Sequence, residues 1–169
     1  MQSVSSDLKD YSRTFSIYQP IDDVFDVLND VEQYQSFIPF CIDSKIIEEN
    51  DNEIKASLKL SFMGTNTEFI SINKYESNEC IEMNLVEGPF SFFKATWLFK
   101  SIHNKETQLT FKMSYTIGNP ITDLLFSKNI DVVSQRIVEA FKKKIESRSV
   151  GFRSGQNVFF NLYNFTFFE

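Results

Sequence analysis

The side chains that usually carry chemistry are scarce in this chain of 169 residues. Its one histidine, His103, falls in a stretch, His103-Asn104-Lys105, that reads as a turn between strands. A lone turn histidine is first of all a solvent-exposed residue. The two cysteines, Cys41 and Cys80, are too few and too scattered to complete a nucleophile–base pair or a zinc site with it. They make no disulfide framework either, which fits a reducing compartment. Asp22, Asp23, Asp26, Asp30 and Glu32 could do acid–base work as buried pairs. At their spacing, however, most would face water along a helix. No glycine-rich phosphate loop appears among the five glycines. Nothing in the residue types points to catalysis or to a metal.

A non-chemical function must then rest on shape, and shape on the elements. The net charge of −6 argues against nucleic acid held by bulk charge, DNA included. No run approaches the roughly 18 apolar residues of a membrane span. Met1 to Asp10 has neither the apolar segment of a secretory signal nor the arginines of a transit peptide, so the expected location is the cytoplasm. Met1–Asp10 reads as an extension, residues 11–148 as one domain, and 149–169 as an aromatic tail of unassigned role.

Within the domain, Tyr11 to Tyr18 alternates polar and apolar, as a half-buried strand does. After Pro20, the spacing of Ile21, Val24, Phe25 and Leu28 predicts a helix ending at Asn29, and Val31 to Phe37 a further helical turn or two. About six strand-like segments follow between residues 42 and 117, separated by short turns such as Asn50-Asp51-Asn52 and Gly88-Pro89. Leu109, Phe111, Met113, Tyr115 and Ile117 give the cleanest alternation. Short connections imply antiparallel neighbours, and alternation implies one wet face.

The last pattern, Asn119 to Arg148, has apolar residues at 3, 4, 3, 4 spacing from Phe126 to Ile145, with Val132 and Val138 widening the stripe. Lys142, Lys143, Lys144 and Arg148 stand where a helix macrodipole would be negative. Gly151, Ser154, Gly155 and Gln156 read as a flexible joint. The fold class expected is α+β: a curved antiparallel sheet of about seven strands gripping a long C-terminal helix, with two short helices after the first strand.

Nineteen phenylalanines raise a second question. Phe62, Phe69, Leu85, Phe90, Trp97, Phe99, Phe111 and Tyr115 fall on faces that could point inward. They either fill a core or wall a cavity, and the pattern does not separate the two.

Two stretches resemble a known family. Asn29-Asp30-Val31-Glu32-Gln33-Tyr34-Gln35-Ser36-Phe37-Ile38-Pro39-Phe40-Cys41 is similar to the NDVxxYPxFxPxC signature of the coenzyme Q-binding, START-like proteins, which are related to polyketide cyclases and include a ribosome-association toxin. Leu85-Val86-Glu87-Gly88-Pro89-Phe90 with Trp97-Leu98-Phe99 resembles that family's LVDGPF…WxF segment, and Ser12-Arg13-Thr14 also fits. Gln35 replaces the usual proline and Ala95 a usual glycine.

The resemblance implies a helix-grip fold and a cavity of several hundred Å³ that binds ubiquinone or a similar polyprenyl quinone, delivered for respiration without a catalysed reaction. Tyr34 and Trp97 would be ring contacts or donors to the quinone. Phe37 would join them, and Pro39 and Pro89 would shape the mouth. Leu125, Ile130 and Val133 would stand near the entrance, and a peripheral inner-membrane contact would follow. Cys41 reads as a small buried residue. The toxin branch implies an alternative, binding of the large ribosomal subunit with Lys142, Lys143, Lys144, Arg148 and Arg153 on phosphates. Cyclase chemistry, suggested by other superfamily members, lacks an arranged His, Asp and Arg set.

Overall fold

A computed structural model describes the backbone of residues 8–62, 64–118 and 130–160, and the side chains of these except residue 62 and residues 149–160. The order is β1 (Lys9–Ile17), α1 (Ile21–Asn29), a 3-10 segment (Val31–Ser36), β2 (Cys41–Asn50), β3 (Glu53–Phe62), β4 (Thr65–Glu76), β5 (Cys80–Glu87), β6 (Phe90–His103), β7 (Glu106–Ile117) and α2 (Ile130–Phe160).

The seven strands form one antiparallel sheet in the order β1-β7-β6-β5-β4-β3-β2. Strands β2 to β7 meander through short turns, and β1 closes against the last of them. Gly64 takes φ +81° at the β3–β4 turn, a left-handed backbone that glycine adopts without a Cβ penalty. The alternation read in the sequence is the burial pattern of the strands: along β7, Thr107, Leu109, Phe111, Met113 and Tyr115 are buried.

Five register shifts interrupt the pairing of this sheet. The most consequential is at Ser91, where Phe90 pairs with Ile117 but Phe92 with Thr116. The extra residue resets the alternation, so Phe90 and Phe93 both turn to the concave side and their rings stand 5.3 Å apart. Gly118 makes room for it: a Cβ there would lie 3.2 Å from the Ser91 nitrogen.

Helix α1 buries Val24, Phe25, Val27 and Leu28. Phe25 packs on Phe99 and Tyr75, with ring centroids 5.4 and 6.1 Å away. The buried Thr107 hydroxyl donates to the Gln19 carbonyl at 2.9 Å and ties the β1–α1 connection to β7. Helix α2 lays Val133, Ser134, Val138, Phe141 and Ile145 inward, at the spacing of one helix face. Val132, expected to widen that stripe, is instead 51% exposed.

The helix differs from expectation at both ends. Its predicted start at Asn119-Pro120, with Leu124, Leu125 and Phe126, lies outside the described residues. At the other end, the backbone stays helical to Phe160 instead of loosening at Gly151–Gln156. Propagation adds one hydrogen bond per residue fixed, so two glycines in a run of better helix formers weaken the helix without stopping it. Lys142 to Arg148 is therefore mid-helix and does not complement a helix terminus. The second expected short helix is a 3-10 segment.

Candidate ligand cavity

The 3-10 segment exists to place one ring. Ser44, buried in β2, accepts from the Gln35 backbone N–H at 3.0 Å and donates to the Glu32 carbonyl at 3.1 Å. Tyr34 is thereby held against the helix, its ring 5.2 Å from that of Phe141 and nearly perpendicular to it. Its hydroxyl donates to the Leu28 carbonyl at the end of α1. Burial, with Asp30 and the Cys41 sulfur nearby, pushes the Tyr34 phenol well above its usual ionisation range.

Next to Tyr34 lies an apolar cavity of about 150 Å³ between sheet and helix. Its floor is Trp97 and Phe111, centroids 4.5 Å apart, with Met83 and Met113 beside them. One wall is Phe69, Phe90 and Phe93; Leu58, Leu60 and Ile38 close the β2–β3 side. The other wall is Ile130, Val133, Ser134, Ile137 and Phe141 of α2. Pro39, Phe40, Leu60, Phe90 and Ile130 line it while only half-buried, as do Leu58, Met83, Phe93 and Ile137. Phe40 adopts φ +68°, a left-handed backbone that costs a bulky residue about 1–2 kcal/mol. That conformation aims the chain into the start of β2, where the Phe40 carbonyl accepts from Ser61 N–H at 2.8 Å.

Of the residues expected at a ligand site, Tyr34, Pro39, Phe69, Phe90, Trp97, Phe111, Ile130 and Val133 come together in this lining. Others do not. Phe99 lies further along β6, under α1 and against Phe25, because α1 covers that end of the sheet. Leu85 is half-buried beside Gly88, where a Cβ would stand 3.0 Å from its Cδ1. Phe37 backs the wall from outside, on Tyr34 and Phe141. The Phe62 side chain and Leu125 lie outside the described residues. Tyr34 can supply a ring face, but its hydroxyl hydrogen is already committed to Leu28. Ten lining residues were missed, Phe93, Met83, Met113 and Ser134 among them. Alternation puts Phe93 on one face with Ala95, Trp97 and Phe99, but not in a cavity wall beside Phe90, which the bulge brings to the same side; a methionine or a serine on a core face carries no signal.

The remaining reactive groups lie elsewhere. His103 ends β6, exposed, 3.0 Å from the Glu106 carboxylate. Burial raises the Cys41 thiol above its ordinary pKa, so it stays protonated and donates to the Asp43 carbonyl at 3.3 Å. Asp22, Asp23, Asp26 and Glu32 are exposed. Among the described residues no group of His, Cys, Asp and Glu could hold a metal. The basic cluster on α2 is largely engaged: Lys142 is 4.0 Å from Glu146, Arg148 is 4.0 Å from Asp30, and the Lys144 ammonium lies 5.4 Å from the Phe37 ring centre. Lys143 is exposed.

A sheet wrapped round a C-terminal helix, with an apolar cavity between them, defines a START-like fold. The chain belongs to the polyketide cyclase / dehydrase and lipid transport family, whose pattern matches residues 17–142. The chain is 28% identical to the ribosome association toxin RatA of Escherichia coli (strain K12) over 130 residues, 77% of this chain and 82% of that one. It is 26% identical to the mitochondrial coenzyme Q-binding protein COQ10 of Dictyostelium discoideum over 141 residues, 79% of this chain and 67% of that one. Among solved structures, the ZhuI aromatase/cyclase of Streptomyces superposes with a TM-score of 0.74 at 18% identity, covering 84% of this chain and 96% of that one. A STAR-related lipid transfer protein of Xanthomonas axonopodis does so with 0.68 at 16%, covering 86% and 90%. At such identities these two speak for the fold alone. No helix among the described residues is long and apolar enough to cross a membrane.

Proposed function

We propose that the protein binds a prenylated quinone of the ubiquinone type in this cavity, without chemical change, and delivers it for respiratory electron transport. The observation that carries the reading is the lining: a cavity walled by rings and aliphatic side chains, with no charged group in it. Burying apolar surface is worth about 25 cal/mol per Å², so such a space favours an apolar guest. The name of the Dictyostelium relative supports a quinone.

Size limits how the guest is held. At about 150 Å³ the cavity is smaller than the several hundred Å³ expected, and below the roughly 300–1,000 Å³ of sites that enclose a drug-sized ligand. A space of this size suits about one six-membered ring. A quinone ring or one or two prenyl units would lie inside, on Trp97 and Phe111, and the rest of the tail would leave between Pro39, Phe90 and Ile130. Organic extraction of the purified protein, read by mass spectrometry, should recover a quinone. Repeated recovery of none, with no uptake of added ubiquinone, would overturn the reading.

A second reading is favoured by the toxin relatives, which the chain matches over more of their length than it matches the quinone-binding one. On this reading the protein binds the large ribosomal subunit and blocks subunit association, with α2 supplying Lys142, Lys143, Lys144 and Arg148 to phosphates. Three of these four already have intramolecular partners, so binding would have to draw them away. Co-sedimentation of the protein with large subunits, lost on neutralising Lys142, Lys143 and Lys144 together, is the expected result; co-sedimentation of the triple variant at wild-type level would exclude this patch.

A further inference from the structure

Three of the side chains lining the cavity carry nitrogen or oxygen: Tyr34, Trp97 and Ser134. The Tyr34 hydroxyl hydrogen is spent on the Leu28 carbonyl. Trp97 and Ser134 have no hydrogen-bond partner among the described residues, although each is only 3% exposed. Among those residues, no side-chain nitrogen or oxygen is at once unpartnered and sealed from water-sized space. The Ser134 hydroxyl therefore borders open space, and the space that this buried residue lines is the cavity.

As a packing residue this serine is out of place. It stands in the inward stripe of α2 among Val133, Ile137, Val138 and Phe141. Alanine would form the helix better, and a buried hydroxyl without a partner costs free energy that a methyl group does not. A serine inside a helix can turn its hydroxyl onto a carbonyl of the preceding turn. Here neither the Ile130 nor the Asp131 carbonyl receives it.

We propose that Ser134 donates a hydrogen bond to a ring carbonyl oxygen of the guest, so that a quinone enters ring first and its prenyl tail stays outermost. The inference deepens the quinone-binding reading and rests on it. A para-quinone ring carries two carbonyl acceptors and no donor, whereas a prenyl unit carries neither. The Ser134 hydroxyl and the Trp97 indole N–H are donors that only the ring can use. Tail-first entry would leave both unpaired, with the guest itself excluding water from them. Ser134 is thus a positioning residue: it selects a carbonyl-bearing ring over a hydrocarbon of the same shape, and no covalent bond changes.

Duroquinone and durene test this, because they share the same methyl-substituted ring and differ in the carbonyl oxygens. Duroquinone affinity is read from saturable quenching of Trp97, and durene affinity from its displacement of bound duroquinone. Ser134→Ala should fold, alanine being the stronger helix former. It should weaken duroquinone about three- to tenfold, the weight of one neutral hydrogen bond, and leave durene no weaker. In the infrared, a carbonyl stretch of bound duroquinone should lie below its position in hexane and return towards it in Ser134→Ala. Equal losses for duroquinone and durene, an unchanged duroquinone affinity, or a carbonyl stretch that Ser134→Ala leaves in place would each overturn the role of Ser134 while the quinone reading stands. Absence of saturable quenching in the wild type would instead overturn the quinone reading, and this inference with it.

Discussion

Tyr34 shows how much of this site is fixed by single hydrogen bonds. Its hydroxyl reaches the Leu28 carbonyl and joins the end of α1 to the 3-10 segment. Tyr34→Phe keeps the ring on Phe141 and leaves that buried carbonyl short of a donor, so it should cost about 1–3 kcal/mol of stability. Chemical denaturation checks the loss, and ligand binding should survive in the folded variant. The burial of this ring also sets a pH dependence. Burial raises the Tyr34 and Tyr115 phenols in the folded protein, while the unfolded chain ionises them near pH 10. The stability they lend is therefore fully present below about pH 10 and is lost as the pH rises beyond it. Denaturation midpoints should fall above that pH, less steeply in Tyr34→Phe. A midpoint that falls equally in both proteins would mean that Tyr34 adds nothing.

At the scale of elements, the bulge at Ser91 decides what the cavity is made of. It turns Phe90 inward beside Phe93, and it packs on Gly118. Gly118→Ala must push against Ser91 backbone atoms rather than a flexible side chain, which overpacking studies put at about 1–3 kcal/mol. It should also lower quinone affinity, because Phe90 loses its place, whereas Gly64→Ala at an open turn should affect stability and leave affinity alone. If both variants bind as wild type does, the bulge does not shape the site.

This is also where the sequence ceased to be legible. Alternation along Leu109–Ile117 and the 3, 4 spacing in α2 disclosed strands, helix and inward faces, because side-chain period follows directly from backbone geometry. A bulge shifts that period by one residue and leaves no mark in composition, so alternation did not show that Phe90 and Phe93 stand side by side in one wall. The position of α1 over one end of the sheet depends on long-range packing, and that is why Phe99 was misplaced. The signature around Tyr34 located a wall of the cavity without showing that its hydroxyl was already bonded.

At the scale of the whole molecule, sheet and helix meet through rings, and the cavity is the space those rings do not fill. Phe141 touches Tyr34, Phe37 and Trp97 at once, with centroids 5.2 to 5.4 Å away. Phe141→Ala should cost about 3–5 kcal/mol and merge its own volume with the cavity. A protein that stays folded should then accept a bulkier ring than the wild type. Ser134 offers the opposite change. It is buried, lines the cavity and belongs to α2, so Ser134→Leu projects aliphatic bulk into the same space.

The most direct measurement follows from the single tryptophan of the chain, Trp97, which forms the cavity floor. Titration with a short-tailed ubiquinone should quench its fluorescence saturably, with one site per chain, and Ser134→Leu, still folded, should abolish the saturable part. Quenching that rises linearly with quinone in the wild type, or that saturates unchanged in Ser134→Leu, would contradict a ligand site between sheet and helix.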